Sequence, residues 1–327
     1  MSLLELLSGT NAYKTILSDT KKSTLSHAYL VSCADQQNLT TYLKELAKLM
    51  VCQYGKGCMD RCRNCSLIES DAHPDVILYP KKEGNILTQD VADIIAESHI
   101  KPLECNKKIF ILSNAQTLNL PSQNKLLKTL EEPPKNVIII LGATSEYPLL
   151  QTVKSRLKKL EIPAFSNEQL FDALKEEFYD EQKLKRAIAC GDGTVGKAVQ
   201  LYGDEKLAEI SALAVDTLIN MKSSANVLDY TQEILTTSPN EEEFLSVLEV
   251  LLRDVLLILN GKGDACGGSD AFKVVKEGVN FSIGAVIHAI DCVHKAFEKK
   301  KFNANSTMLI EWVLFQILEG KYKWQKL

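Results

Sequence analysis

Residues 28–51 read Ala-Tyr-Leu-Val-Ser-Cys-Ala-Asp-Gln-Gln-Asn-Leu-Thr-Thr-Tyr-Leu-Lys-Glu-Leu-Ala-Lys-Leu-Met-Val. The short apolar run Ala28–Cys33 predicts a strand, and the amphipathic stretch Leu39–Val51 predicts a helix. A strand, a turn and a helix near the start of an α/β domain form the place where a nucleotide-binding loop belongs. Such a loop needs glycines, so that backbone N–H groups can approach the phosphates, and a lysine to neutralise them. The segment Cys33-Ala34-Asp35-Gln36-Gln37-Asn38-Leu39-Thr40 supplies neither.

Working outward, Val76–Tyr79, Lys108–Leu112, Val137–Leu141 and Lys159–Ile162 read as further short strands. Helical patterns cover about Thr88 to His99, Ser122–Glu132 and Tyr147–Leu157, with Pro133 and Pro134 stopping the second. Short apolar runs separated by helices indicate a largely parallel α/β sheet over residues 1–163, with Pro163 at its end. The strand Lys108–Leu112 runs into Ser113-Asn114-Ala115-Gln116, with no acids to hold Mg²⁺ or to polarise water. Lacking lysine, Mg²⁺ ligand and base, this copy of the fold is expected not to hydrolyse a nucleotide.

The rest is helical. Residues 164–203 read as a small three-helix unit with a Gly191-Asp192-Gly193-Thr194 turn, and residues 204–327 as an all-α domain. Phe244–Leu259 and Thr307–Glu319 are apolar nearly all round, so they are expected to be buried inside a bundle or against a partner. The glycines of Asn260–Asp270 follow no strand and mark a loop, not a phosphate cradle.

The 327 residues carry a net charge of −4, which argues against a surface coated for nucleic acid. That average hides a band: residues 107–160 hold nine Lys or Arg against three Glu, a local +6, leaving −10 elsewhere. A confined contact with something anionic is the expectation. The start, Met1 to Asn11, lacks a basic leader, and Phe244–Leu259 is interrupted by Glu249, Arg253 and Asp254, so no secretory or membrane-spanning segment is expected.

Four of the nine cysteines, Cys52, Cys58, Cys62 and Cys65, fall within fourteen residues; the others are scattered. Their gaps of five, three and two place four thiolates within reach of one tetrahedral ion, and Gly55 and Gly57 permit the tight backbone required. Lys56, Arg61 and Arg63 would offset the negative charge of a four-thiolate Zn²⁺ centre. A closed shell leaves no position for water, so the zinc is expected to be structural. The alternative is four unliganded cysteines. The pattern is that of a reduced, cytoplasmic protein with one metal site.

Lys125-Leu126-Leu127-Lys128-Thr129-Leu130-Glu131-Glu132-Pro133-Pro134, followed by a strand and by Leu149-Leu150-x-Thr152-Val153-x-Ser155-Arg156, resembles bacterial clamp-loader subunits of the AAA+ class. Ser26-His27-Ala28-Tyr29-Leu30, the cysteine knuckle and His73-Pro74-Asp75-Val76 fall in that family's order, and the resemblance spans residues 24–163. It implies an AAA+-like module with an inserted zinc knuckle (52–65), a helical lid (164–203) and a helical collar (204–327) for oligomerisation. The family's Gly-Lys-Thr falls here on Asn38, Leu39 and Thr40, and its Mg²⁺-binding acidic pair falls on Ser113 and Asn114. Two departures stand out. The usual Ser-Arg-Cys is here Ser155-Arg156-Leu157, and the knuckle has a shorter first gap than usual, followed by gaps of three and two.

The resemblance implies a non-catalytic member of a hetero-oligomer. Arg156, after Ser155, would be an arginine finger acting in trans on ATP held by a neighbouring ATPase subunit. The partners implied are the ATPase subunits, the other clamp-loader subunit, the sliding clamp and primed DNA, with no membrane. On its residues alone, Arg156 would be one of a solvated basic face with Lys154, Lys158 and Lys159. Lys197 falls where the resemblance would put a second phosphate sensor, and Thr144 and Ser145 where it would put the first, but in a lost nucleotide site all three are expected to be structural; His73 is expected to cap a turn, the ion's shell being filled by cysteine. Two other readings stay open. An active ATPase of the same fold would require the missing cradle. A stand-alone zinc-knuckle nucleic-acid binder would require aromatics among the basic residues of the knuckle, where only Tyr54 is near.

Overall fold

β-Branched and aromatic runs hemmed in by helices become the strands of one five-stranded sheet, in which every pairing is parallel. The computed structural model describes residues 3–54, 62–81, 84–238, 240–262, 270–278, 281–300, 302 and 304–323. Two short helices, α1 (Leu3–Gly9) and α2 (Asn11–Lys22), precede the sheet. The strands are β1 (Ala28–Cys33), β2 (Val76–Tyr79), β3 (Lys108–Leu112), β4 (Val137–Ala143) and β5 (Lys158–Ile162), in the order β2-β3-β4-β1-β5. Parallel neighbours need crossovers, and these are supplied by α3 (Leu39–Val51), α4 (Arg63–Glu69), α5 (Thr88–Ser98), α6 (Leu120–Glu131) and α7 (Gln151–Lys154).

Burial matches this layering. All seven residues of β4 and all five of β3 are buried, as expected where helices cover both faces. Gly142 lets α3 approach β4: a Cβ there would lie 2.4 Å from Leu43 Cδ1. One face of the sheet (Leu30, Phe110, Leu112, Ile139, Leu141) packs with Ile94, Leu126 and Leu130 from α5 and α6.

The helix expected over Tyr147–Leu157 is much shorter, a single turn at Gln151–Lys154. Pro148 is the physical reason. Its ring keeps the preceding residue out of helical geometry, and it cannot donate to the helix ladder.

The helical remainder comprises α8 (Asn167–Leu174), α9 (Glu181–Ala189), α10 (Val195–Gly203), α11 (Lys206–Asn220), α12 (Ser224–Thr237), α13 (Glu241–Leu259), α14 (Asp270–Glu277), α15 (Ile283–Lys300) and α16 (Ser306–Lys323). By contact, the described residues form two compact units: residues 1–176 with 194–196, and residues 177–193 with 197–327. In the second unit α13 packs against α11, α14 and α15, and α16 against α12 and α15. Phe244, Leu248, Leu252, Val313 and Leu314 are fully buried in its core, so much of the apolar surface of α13 and α16 is spent within the bundle; Met308 and Phe315 stay exposed. No helix among the described residues is long and apolar enough to cross a membrane.

Candidate functional site

The turn between β1 and α3 is organised by Asp35, which is 5% exposed. Its carboxylate accepts the Asn38 backbone N–H (3.3 Å) and side-chain amide (3.0 Å), the Tyr42 hydroxyl (3.3 Å) and the Gly196 N–H (3.1 Å). Burial, and then the charge of Asp35, push the Tyr42 phenol far above its ordinary pKa, so it stays a donor. Leu39, expected at the lysine position of a phosphate-binding loop, is fully buried in the core. The Thr40 and Ser113 hydroxyls, the expected Mg²⁺-side positions, bond to each other at 2.7 Å. Asn114 is left-handed (φ 64°), a conformation asparagine tolerates, and opens a short 3₁₀ turn whose Thr117 donates to its carbonyl. The structure therefore brings Thr40 and Ser113 together, with a turn-forming amide beside them.

Arg156 follows α7. Its guanidinium donates to the Thr152 carbonyl (2.7 Å) and pairs with Glu131 at the end of α6 (2.6 Å); the arginine side chain is 34% exposed. Ser155 bonds back to Thr152 O at 3.0 Å. The segment leading to α7 is fixed by buried Gln123 on α6. Its amide donates to Leu118 O (2.9 Å) and Pro148 O (3.1 Å) and accepts the Leu150 N–H (2.7 Å). Neither Gln123 nor Glu131 stood out as a site residue in the sequence, although both lie on the helix that carries the ten-residue string.

The basic band is partly neutralised. Lys108, Arg156, Lys158 and Lys159 pair with Glu97, Glu131, Asp19 and Glu146, whereas Lys125, Lys128 and Lys135 are exposed without an acidic partner among the described residues. Of the sensor-like positions, Lys197 pairs with Asp192, Thr144 donates its N–H to Gln116 (3.3 Å), and Ser145 accepts from the Tyr147 N–H (3.3 Å).

The thiols of Cys52, Cys62 and Cys65 converge, with all sulfurs within 4.8 Å of one another; Cys58 lies outside the described residues. Cys62 caps α4 and accepts the Cys65 N–H at 3.5 Å, the kind of bond that stabilises a thiolate ligand. This donor set fits Zn²⁺. Nearby, His73, Asp75 and Cys105 also cluster, but their atoms are already engaged. Asp75 accepts the backbone N–H groups of Leu103, Glu104 and Cys105 at 2.7–2.8 Å. His73 Nδ1 accepts the Asp75 N–H at 3.0 Å, the turn role expected for it. Burial lowers the His73 pKa and pushes the Cys105 thiol up to about 11, so imidazole and thiol stay neutral, 3.5 Å apart. This trio braces the chain beside the knuckle.

Residues 9–166 match the family described as DNA polymerase III, delta subunit. The chain is homologous to the delta' and tau/gamma subunits of DNA polymerase III. With the delta' subunit of Bacillus subtilis (strain 168) the similarity runs nearly end to end, 28% identical over 314 residues covering 94% of this chain and 95% of that protein. The tau subunit of the same organism is 22% identical over 95% of this chain and 60% of its own length. The crystal structure of a gamma subunit-related protein from Thermotoga maritima superposes with a TM-score of 0.44, at 18% identity, covering 94% of this chain and 99% of that one.

Proposed function

We propose that this chain is a non-ATPase subunit of the bacterial DNA polymerase III clamp loader, which offers Arg156 in trans to ATP bound by a neighbouring subunit. The observation that carries the reading is the β1–α3 turn. It has no glycine and no lysine, and the two hydroxyls on the Mg²⁺ side bond to each other, so phosphoryl transfer lacks its electrostatic parts. The near full-length similarity to a delta' subunit supports the same conclusion.

In this reading residues 1–163 are an AAA+-like wedge, residues 164–203 a lid and residues 204–327 a collar joining a hetero-oligomeric ring. With ATP bound by the ATPase subunits, the ring opens the sliding clamp and sets it on primed DNA in the cytoplasm. Lys125, Lys128 and Lys135 are the free charges of the basic band available to a phosphate backbone, a contact that salt would weaken. Zn²⁺ held by Cys52, Cys58, Cys62 and Cys65 is structural. Any polymerase activity belongs to the holoenzyme. The test is reconstitution with a tau-type ATPase subunit: the isolated chain neither binds nor turns over Mg-ATP in a calorimeter, and its addition raises the DNA-stimulated ATPase of the assembly. Tight binding with turnover by the isolated chain would favour an active ATPase instead.

A further inference from the structure

A helix N-terminus leaves backbone N–H groups without partners, and an anion placed there satisfies them. At α3 that anion belongs to the chain itself. Asn38, the N-cap residue, makes no side-chain capping bond to the helix; it turns its own N–H and its side-chain amide to Asp35. The same carboxylate accepts the N–H of Gly196, 161 positions away, in the first turn of α10. Residues 194–196 belong to the first compact unit, although the chain on either side of them belongs to the second.

Gly196 is fitted to this contact. A Cβ there would stand 2.6 Å from Asp35 Oδ1 and 2.5 Å from Gln37 Oε1, closer than side chains pack. A carboxylate buried this deeply needs several donors to offset its lost hydration, and here two backbone N–H groups, an amide and a phenol provide them. The backbone N–H and side-chain amide that Asn38 holds at the head of α3 are thus already taken.

We infer that Asp35 is a built-in anion: it fills the phosphate position of the strand–turn–helix, rejects nucleotide phosphate by charge and by occupancy, and pins the first turn of α10 in the absence of any ligand. This goes beyond the clamp-loader reading and holds for the chain whatever assembly it joins. It turns an absence, the missing cradle, into a positive device: one acidic side chain does permanently what a bound phosphate would do only while present.

Residue-resolved amide hydrogen exchange on the full chain tests it. Asp35→Ala is expected to speed exchange at Asn38 and Gly196 by roughly tenfold or more, the scale of a lost charge-assisted bond, with the β4 amides unchanged as the control for folding. Gly196→Ala reaches the latch from the other side. Its Cβ would push the Asp35 carboxylate aside, so exchange is expected to speed at residues 38 and 196 together, which keeps the question open to measurement if Asp35→Ala does not fold. Mg-ATP is expected to change nothing in the unmodified chain. Unchanged protection of Gly196 in Asp35→Ala would overturn the assignment; so would Mg-ATP raising protection at Asn38 in the unmodified chain, since the position would then be open to phosphate.

Discussion

Glu131 holds Arg156: carboxylate and guanidinium lie 2.6 Å apart, while the Thr152 carbonyl takes a second bond from the same guanidinium at 2.7 Å. Both partners are partly exposed (34% and 48%), so the pair is worth at most about 1 kcal/mol. A bond that weak orients the side chain at rest and, in the proposed role, would yield to a triphosphate, whose charge is several times that of one carboxylate. The pair joins the C-terminal end of α6 to the end of α7.

The two residues should therefore be coupled in function. Arg156→Ala is expected to lower the DNA-stimulated ATPase of the reconstituted complex by at least about tenfold. Glu131→Ala should lower it by less, and only while Arg156 is present. In the Arg156→Ala background the second substitution should add nothing, a non-additivity that a double-mutant cycle measures directly. Independent, additive losses would dissociate Glu131 from the arginine.

The converging thiols predict stoichiometric zinc. Metal analysis of protein purified without chelator should find about one Zn²⁺ per chain, and Cys65→Ser, at a fully buried ligand position, should abolish it. Stripping the metal should lower Tm by roughly 5 °C or more, since a structural site contributes to folding. Metal-free protein with an unchanged Tm would leave the knuckle as unliganded cysteines.

Asp75 sets a pH dependence on the acid side. Burial pushes its carboxyl up, but three backbone N–H bonds more than offset this and hold it below the ordinary carboxylate range. A carboxylate depressed in the folded state contributes stability that is fully present above the unfolded value, about 3.9, and is lost as pH falls through the folded value. Urea midpoints of the unmodified protein should accordingly drop below about pH 4. Asp75→Ala should lower stability at neutral pH, by removing the shared acceptor of three part-buried backbone N–H groups, and should flatten that acid limb.

Lys321 adds a second rise of stability with pH, on the basic side. It is 5% exposed and donates to the Leu218 carbonyl, and its pKa is brought down to about 8 by burial and, to a smaller degree, by Lys222. Between that value and the unfolded value of about 10.4, the unfolded chain binds the extra proton, so stability rises with pH across this window. Denaturant titrations from pH 7 to about 10 should reveal the rise, and Lys321→Met should remove it. Parallel profiles for the two proteins would show that the lysine is solvated.

The sheet was legible because its strands are β-branched runs flanked by helical periods: Ala28–Cys33 and Val76–Tyr79 begin and end where the residue pattern does. Pro148 carried the information that shortens α7, but the apolar spacing around it argued for more helix. At the site, residue types suggest missing chemistry, with no lysine or glycine in the β1–α3 turn and no acids after β3, and could not announce what stands there instead. The bonds that replace it join positions far apart in the chain, Asp35 to Gly196 and Thr40 to Ser113, and periodicity carries no information on such pairs. Glu131 was hidden for another reason. At the end of α6 Glu131 stands next to Glu132, and nothing in the sequence says which of the two meets Arg156.

Among the described residues β5 pairs only with β1, and its residues Lys158, Lys159 and Glu161 are exposed. An unpaired strand margin is a template on which a second chain can add, and lysines along it make that addition costly because their charges would have to be stripped of water. The opposite margin, β2, is only four residues long and stands between Pro74 and Pro80. Both ends of the sheet are thus kept closed to stray strands, and substituting Lys158 and Lys159 with valine or threonine would exchange that protection for a tendency to aggregate.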